Sequence, residues 1–353
     1  MFIALRDIRF AKGRFALIGT VVCLITLLVG FLTGLTAGLA NQNISAITSL
    51  DTDYIALSQP EEGEKLSYSN SSITPEIIKQ LENMQGVSDV QELGISRAKF
   101  LNDDGPNLNA VVFGVAPEYG NDAPQKANSI ILSSNAAAEA GVSQGDTLTL
   151  SGHEYIVEKV GAESWYSHAP VVWIPYSDWT EYSERIGQTG EATAVLIKSG
   201  NQQAPVLEEL EITTPLKSLT ALEAFKSEIG SLGMMVGMLF LISALVIGAF
   251  FTVWTIQRKS DIAIMKALGV STAALIKDSL GQAFIILVVG IGTGIGATIG
   301  LGSLTGNALP FVLSPLTMGI PSIAMLITGL AGAAFALTSV TKADPLTALS
   351  SNR

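Results

Sequence analysis

Apolar residues run almost without interruption in four places along the chain, at 15–40, 232–256, 283–304 and 323–340. Each run reaches or approaches the ~20 residues a helix needs to cross ~30 Å of hydrocarbon. The pattern predicts four membrane-spanning helices. The first run is too long for a secretory signal, and no small-residue cleavage site follows it.

Between the first two runs the pattern changes. The stretches "DYIALS", "NAVVFGVA", "NSIILS", "DTLTL", "EYIVEKV", "PVVWIPY" and "TAVLIK" are short, alternating or solidly apolar, and predict strands. Ser151-Gly152 marks a hairpin turn between two of them. "TPEIIKQLENM" predicts a helix with Thr74 as N-cap and Pro75 in the first turn. "SSNAAAEAGV" predicts a shorter one ending near Gly141. Strands and helices in irregular succession predict an α+β domain. After it, Thr220 and Glu223 have the spacing of a capping box. A helix from there to Lys259 would be about 57 Å long at ~1.5 Å per residue, far more than the hydrocarbon requires. Its first turns are expected to form a stalk.

Charge sets the orientation. The two ends and the loop between spans two and three hold ten basic and four acidic residues, whereas 41–229 holds ten basic and 27 acidic, within a total of −11. Basic flanks stay on the cytoplasmic side, so the α+β domain lies outside. The expected organisation is an interfacial helix at 1–15, spans at 16–40, 232–256, 281–304 and 322–340, the outer domain at 41–219 and a stalk at 220–231. A cytoplasmic coupling segment occupies 257–280, an outer loop 305–321 and a cytoplasmic tail 341–353. The fold class is thus membrane α-helical, four helices with both termini cytoplasmic, carrying an extracellular α+β domain between helices 1 and 2.

Candidate chemistry is sparse. Cys23 is the only cysteine, and it sits in span one, so the outer domain has no disulfide. His153 and His168 lack metal-ligand spacing and no nucleophile motif occurs. For His168, in "SWYSHAP", an ordinary loop histidine is preferred over a ligand contact. No Gly-x-x-x-x-Gly-Lys-Ser/Thr is present, so this chain has no phosphate-binding loop, and nothing points to nucleic acid or to an enzyme. At the head of span two, Glu228 and Met235 lie two turns apart on one side, with Met234 and Met238 on the adjacent stripe. They read either as packing residues or as the lining of a large apolar site. Gly30, Gly34 and Gly38 thin one face of span one, either for close helix packing, in a dimer against span two, or as a groove open to lipid.

The segment "RKSDIAIMKALGVSTAALIKDSLGQ" resembles the coupling segment of FtsX/MacB-type (type VII) ABC transporter permeases through Arg258, Asp261-Ile262-Ala263, Met265-Lys266-Ala267-Leu268-Gly269 and Ser271. The tail "KADPLTALS" is similar to that family's Pro-x-x-Ala-Leu ending, and the order of spans is the same. The resemblance implies a permease subunit of the cell membrane, paired with a second copy of itself and with a cytoplasmic ATPase that alone binds ATP. Asp261, Ile262, Met265, Lys266, Leu268 and Gly269 would be the residues that meet the ATPase. Span one, with "RF" at its entry, "GLTAGL" at its exit and the "DYIALS" strand beyond, resembles the haem-exporting HrtB/DevC group within the family. That second resemblance implies haem as transported substrate and no permanently bound cofactor. Glu228, Met234, Met235, Met238, Gly34 and Gly38 would then line the haem site, with Glu228 or Met235 as iron ligand and membrane lipids alongside. The alternative is a mechanotransmission permease that exports another amphiphile or regulates an extracellular partner without transport.

Overall fold

The computed structural model describes residues 12–119, 123–126, 128–200, 203–257, 262, 264–266, 268–305 and 309–341. In chain order its elements begin with α1 (Lys12–Thr48), β1 (Tyr54–Ser58), α2 (Pro75–Glu82), β2 (Val87–Phe100), β3 (Leu108–Val115) and β4 (Ser129–Leu132). Next come α3 (Ser134–Ala140), β5 (Thr147–Leu150), β6 (His153–Val160), β7 (Trp165–Tyr166), β8 (Ala169–Pro175) and α4 (Tyr176–Arg185). The last are β9 (Ala194–Ser199), β10 (Leu210–Thr213), α5 (Pro215–Ser218), α6 (Glu223–Gln257), α7 (Thr272–Thr305) and α8 (Pro315–Thr341). They fall into two units, Leu39–Ile229 and Met1–Gly38 with Gly230–Arg353. The expected interfacial helix lies outside the described residues as far as residue 11, and so do Asp261 and the tail from 342; residues 12–15 already belong to α1.

The Leu39–Ile229 unit is built on one mixed sheet of order β10-β1-β9-β2-β3-β8-β4-β6-β5, with β7 added to β8. Only β3–β8 and β4–β6 are parallel among its pairs. Both faces are covered, which is why "NAVVFGV" reads as solidly apolar. On β3, Val111, Phe113 and Val115 enter one core with Ile47, Leu57 and Leu219. Leu108, Ala110 and Val112 enter another with Ala136 and Trp179. Trp179 of α4 lies over Gly94 and Gly114 of β2 and β3, where a side chain would collide with its ring. Its indole N–H donates to Ser96 Oγ at 3.1 Å. Local chemistry sets the shorter elements. Ser133 Oγ caps α3 through Ala136 N–H, and Gly141 ends the helix at φ 67°. The β5–β6 hairpin turns on Ser151 and Gly152 at φ 50° and 84°, as a two-residue turn requires.

Two expectations need correction here. Thr74 precedes α2 in extended conformation, but its side chain caps no backbone N–H. Thr220 and Glu223 form no capping box: Leu219–Ala221 make a 3-10 turn, Leu222 is extended, and Thr220 Oγ1 donates to Lys217 O. The helix therefore starts at Glu223. Beyond these, β2, β10 and α4 were not anticipated. β2 is the longest strand among the described residues, yet "VSDVQELGISRAKF" carries four charges, Asp89, Glu92, Arg97 and Lys99, and its side chains alternate between half-buried or exposed and buried towards its end.

In the other unit, α1, α6, α7 and α8 have the length and composition of membrane spans. Phe15, Ile18 and Val22 pack with Phe251, Trp254, Leu287, Met325 and Ala333, and Phe15 meets Trp254 edge-on at 4.9 Å. Leu17, Leu24, Leu245 and Phe335 are exposed, as lipid-facing side chains are. The helices outrun the apolar stretches that predicted them. α1 continues past residue 40 to Thr48, α7 starts at Thr272 within the expected coupling segment, and α8 starts at Pro315 within the expected outer loop. Backbone hydrogen bonding does not stop where hydropathy falls. At the start of α8, Ser314 and Thr317 cap each other's backbone N–H groups, with Pro315 at the first helical position.

The glycine stripe of α1 is closed from within this unit. Gly30 faces Thr298 and Ile295 of α7, Gly34 faces the Phe311 ring, and Gly38 faces the Pro310 carbonyl. Val312 N–H donates to Gly34 O at 3.1 Å, and Phe311 stacks obliquely on Phe31 at 5.2 Å. The stripe is packed, but by α7 and residues 310–311 and not by span two. The groove expected at Gly34 and Gly38 is filled by Pro310 and Phe311, so these two glycines do not line an open cleft. In α7, Gly290 and Gly294 face Val22, Cys23 and Thr26 of α1.

Candidate functional site

Glu228, on the second turn of α6, is met by two side chains distant in sequence. His168 Nε2 lies 2.9 Å from Glu228 Oε1, and Asn43 Nδ2 donates to Glu228 Oε2 at 2.7 Å. Asn43 Nδ2 also lies 3.0 Å from His168 Nε2 and 3.3 Å from Leu39 O. A consistent proton assignment has Nε2–H of His168 donating to the carboxylate, while the two amide protons of Asn43 go to Glu228 and Leu39 O. The carboxylate thus accepts from both neighbours. Asn43 is only 1% exposed, whereas the His168 and Glu228 side chains are about one-third exposed and accessible to a ligand.

The local backbone explains why His168 is there. Ser167 and His168 form the two-residue turn of the β7–β8 hairpin, both left-handed at φ 49° and 62°. Non-glycine residues pay a steric cost in that region. Their N–H groups are held by α1, Ser167 to Asn43 O at 3.0 Å and His168 to Gln42 O at 2.9 Å. Positive φ at both positions is what a two-residue hairpin turn requires, and the two bonds to α1 fix the imidazole's place beside Glu228.

A cavity of about 720 Å³ adjoins this cluster, within the size range of small-molecule sites. Asn43 and Ser167 are shared with it, and its walls mix hydroxyl and amide groups, from Ser67–Ser72, Gln188, Thr189 and Thr193, with apolar side chains such as Ile95, Ile186 and Leu222 and with Arg97, Glu191 and Glu223. Tyr68 and Tyr166 also line it, and burial pushes both phenols well above their ordinary value. They stay neutral. Tyr68 Oη donates to Ser218 Oγ at 2.7 Å.

Of the residues expected to bind a ligand, Glu228 is joined by His168 and Asn43, which the sequence did not bring to it. The signal that existed was the two-residue spacing of Ser167-His168 between strand-forming residues. Met234, Met235 and Met238 are exposed. Among the described residues no group of three or more His, Cys, Asp and Glu side chains converges as a metal site.

In the coupling segment, a turn of helix closes in a Schellman motif: Val270 N–H donates to Met265 O, Gly269 N–H to Lys266 O, and Gly269 sits at φ 89°. Ser271 Oγ then accepts from Ala274 N–H at the start of α7. Ile262 is buried at 8% against Leu275 and Leu337, which corrects its assignment as a presented residue: it anchors the segment. Leu268, at 79% exposed, and Ile264 and Gly269 are the outward surface. Met265 and Lys266 are half-buried.

The MacB-like periplasmic core domain model matches residues 16–212 and the FtsX-like permease C-terminal model matches residues 233–345. The chain belongs to the FtsX/MacB-like family of ABC-transporter permeases, multi-pass membrane proteins with an α+β domain outside. At the level of individual proteins, the chain is 26% identical over 355 residues to the "Putative hemin transport system permease protein HrtB" of Staphylococcus haemolyticus, covering 99% of each. The protein of the same name from Staphylococcus epidermidis is 27% identical over 357 residues, again covering 99% of each. Two solved structures are similar at low level. The extracellular domain of the noncanonic ABC-type transporter YknZ from Gram-positive bacteria has a TM-score of 0.33 and 14% identity, covering 46% of this chain and all of that one. The periplasmic region of MacB from Actinobacillus actinomycetemcomitans has a TM-score of 0.33 and 12% identity, covering 49% and 94%.

Proposed function

We propose that this chain is the permease subunit of an efflux pump that removes haem from the membrane, driven by ATP hydrolysis in a separate cytoplasmic subunit. Two permeases and two ATPases make the working complex. The observation that carries the cargo reading is the carboxylate of Glu228 with His168 Nε2 beside it, partly exposed and backed by the buried amide of Asn43. Carboxylate and imidazole oxygens and nitrogens are axial donors for macrocycle-bound iron. Met234, Met235 and Met238 offer exposed thioethers further along the same helix. The full-length similarity to proteins named for hemin transport supports the same cargo. Haem enters here as substrate, and no resident cofactor is invoked.

In this reading Asn43 and His168 hold the carboxylate in one orientation until iron takes it, and iron binding requires His168 Nε2 to give up its proton or its place. Leu268, Ile264 and Gly269 are the surface against which the ATPase works. The test is titration of haem into the reconstituted permease–ATPase complex, read by Soret absorption and ATPase rate. Wild type is expected to shift the Soret band and to hydrolyse ATP faster with haem. Glu228→Gln and His168→Ala are expected to lose most of the shift. An unchanged spectrum and unchanged haem resistance in a Glu228/Met234/Met235/Met238 alanine variant overturns the site. Stimulation by lipid alone, without a Soret shift, identifies another amphiphile as cargo.

A further inference from the structure

The hydroxyl-lined cavity beside Glu228 is larger than the cluster needs, and one feature of its wall is unaccounted for. Arg97, on β2, faces it. Its guanidinium makes no ion pair among the described residues. Its contacts are long ones to the β7–β8 turn, Nη2 to Ser167 Oγ at 3.3 Å and to Ser167 O at 3.5 Å. This cation stands in a segment where acids outnumber bases by 27 to ten. Its backbone carbonyl is fixed by the Tyr182 hydroxyl at 2.8 Å, and its cross-strand partner is Val111. The two acids of the wall are Glu191, which accepts from Ser72 Oγ at 2.5 Å, and Glu223 at the start of α6.

Arg97 and the ligand cluster meet at one turn. Ser167, the residue that Arg97 touches, immediately precedes His168, and Asn43 both walls the cavity and donates to Glu228. A guanidinium is a planar fork suited to carboxylate; the Ser167 hydroxyl beside it, and those of Ser69 and Ser71 elsewhere on the cavity wall, are neutral donors for a carboxylate's remaining lone pairs.

We propose that this cavity is the carboxylate subsite of the cargo pocket, with Arg97 and Ser167 receiving an acidic side chain of an amphiphile whose body sits at Glu228 and His168. The inference rests on the cargo reading above and extends it: the substrate is selected as a carboxylate, not merely as a greasy body. For haem the group is a propionate; for a lipid it is a fatty-acid head.

The experiment compares ferric protoporphyrin IX with its dimethyl ester by Soret titration of the full-length permease in nanodiscs, in wild type, Arg97→Gln and Arg97→Lys. Melting temperature is measured on each variant. The free acid is expected to bind wild type about tenfold more tightly than the ester, on the scale of one charge-assisted hydrogen bond. Arg97→Gln is expected to erase that preference without changing ester affinity or the Soret position, and Arg97→Lys to restore part of it. Equal affinities of wild type and Arg97→Gln for the free acid, with a normal Soret shift, overturn the subsite and leave the haem reading standing. If neither porphyrin binds wild type, the haem reading itself falls, and radiolabelled oleate decides the subsite. Arg97-dependent oleate binding supports a carboxylate pocket with a lipid source, and no oleate binding overturns it.

Discussion

Gly292 and Gly294 lie on the same turn of α7, and replacing each with alanine is expected to move stability in opposite directions. A Cβ on Gly292 meets nothing within 4 Å. A Cβ on Gly294 lies 2.7 Å from Cys23 O and 2.7 Å from Thr26 Cβ. Both obstacles belong to α1 and neither is the loose end of a side chain. Carbon atoms prefer separations of about 3.5–4.0 Å, so α1 and α7 must part by roughly 0.8 Å or more over the contact. That opening loosens the packing of Thr298 against Gly30 and the Thr298 Oγ1 bond to Leu27 O at 3.3 Å. Overpacking of this kind costs about 1–3 kcal/mol. Alanine also returns up to about 1 kcal/mol of helix propensity at either position. Gly292→Ala should therefore be neutral or more stable by up to about 1 kcal/mol, and Gly294→Ala less stable than Gly292→Ala by about 1–3 kcal/mol. Equilibrium unfolding of the purified permease in mixed micelles measures the difference, with backbone propensity cancelling between the pair. Two variants of equal stability would mean that α1 and α7 do not approach at glycine, and the packing explanation of both glycine stripes would fail.

Two further outcomes follow from the same geometry. Glu158 accepts from Ser129 Oγ at 2.6 Å and from Gln125 N–H at 3.1 Å, and these bonds, the Ser129 one foremost, hold its carboxyl below the usual glutamate range. A depressed folded-state pKa contributes stability that is present above the unfolded value and lost as pH falls through the folded one; acid melting curves of Glu158→Gln are thus expected to lie apart from wild type above the unfolded glutamate value of about 4.3 and to converge only as pH falls through the lower folded-state value. Leu268→Ser should leave the melting temperature within the scatter of wild type, since Leu268 is exposed, while lowering ligand-stimulated ATPase rate in the reconstituted complex several-fold; unaltered stimulation would remove Leu268 from the contact with the ATPase.

Four spans and an α+β domain could be read directly from the chain because hydropathy and period-two alternation are local properties. The strands "DYIALS", "NAVVFGVA" and "TAVLIK" were legible for this reason. β2 was not, since its Glu92, Arg97 and Lys99 interrupt the apolar pattern of a strand that sits between two others. Glu228 stood out as an ionisable group at the head of a span. Asn43 and His168 did not, because their pairing with it joins positions 185 and 60 residues away.

By itself the sequence determined that four runs are apolar enough to cross a membrane, that an α+β domain stands outside between the first two, and which family motifs the coupling segment carries. Those follow from transfer free energies and charge, which each residue brings regardless of its neighbours. Tertiary structure alone decided what the glycines of α1 are for, since only the fold delivers Pro310 and Phe311 onto Gly38 and Gly34. It also decided that Ile262 is an anchor and that a histidine in a left-handed turn is the partner of Glu228. Contacts between distant residues depend on the path of the whole backbone, and no local period encodes them.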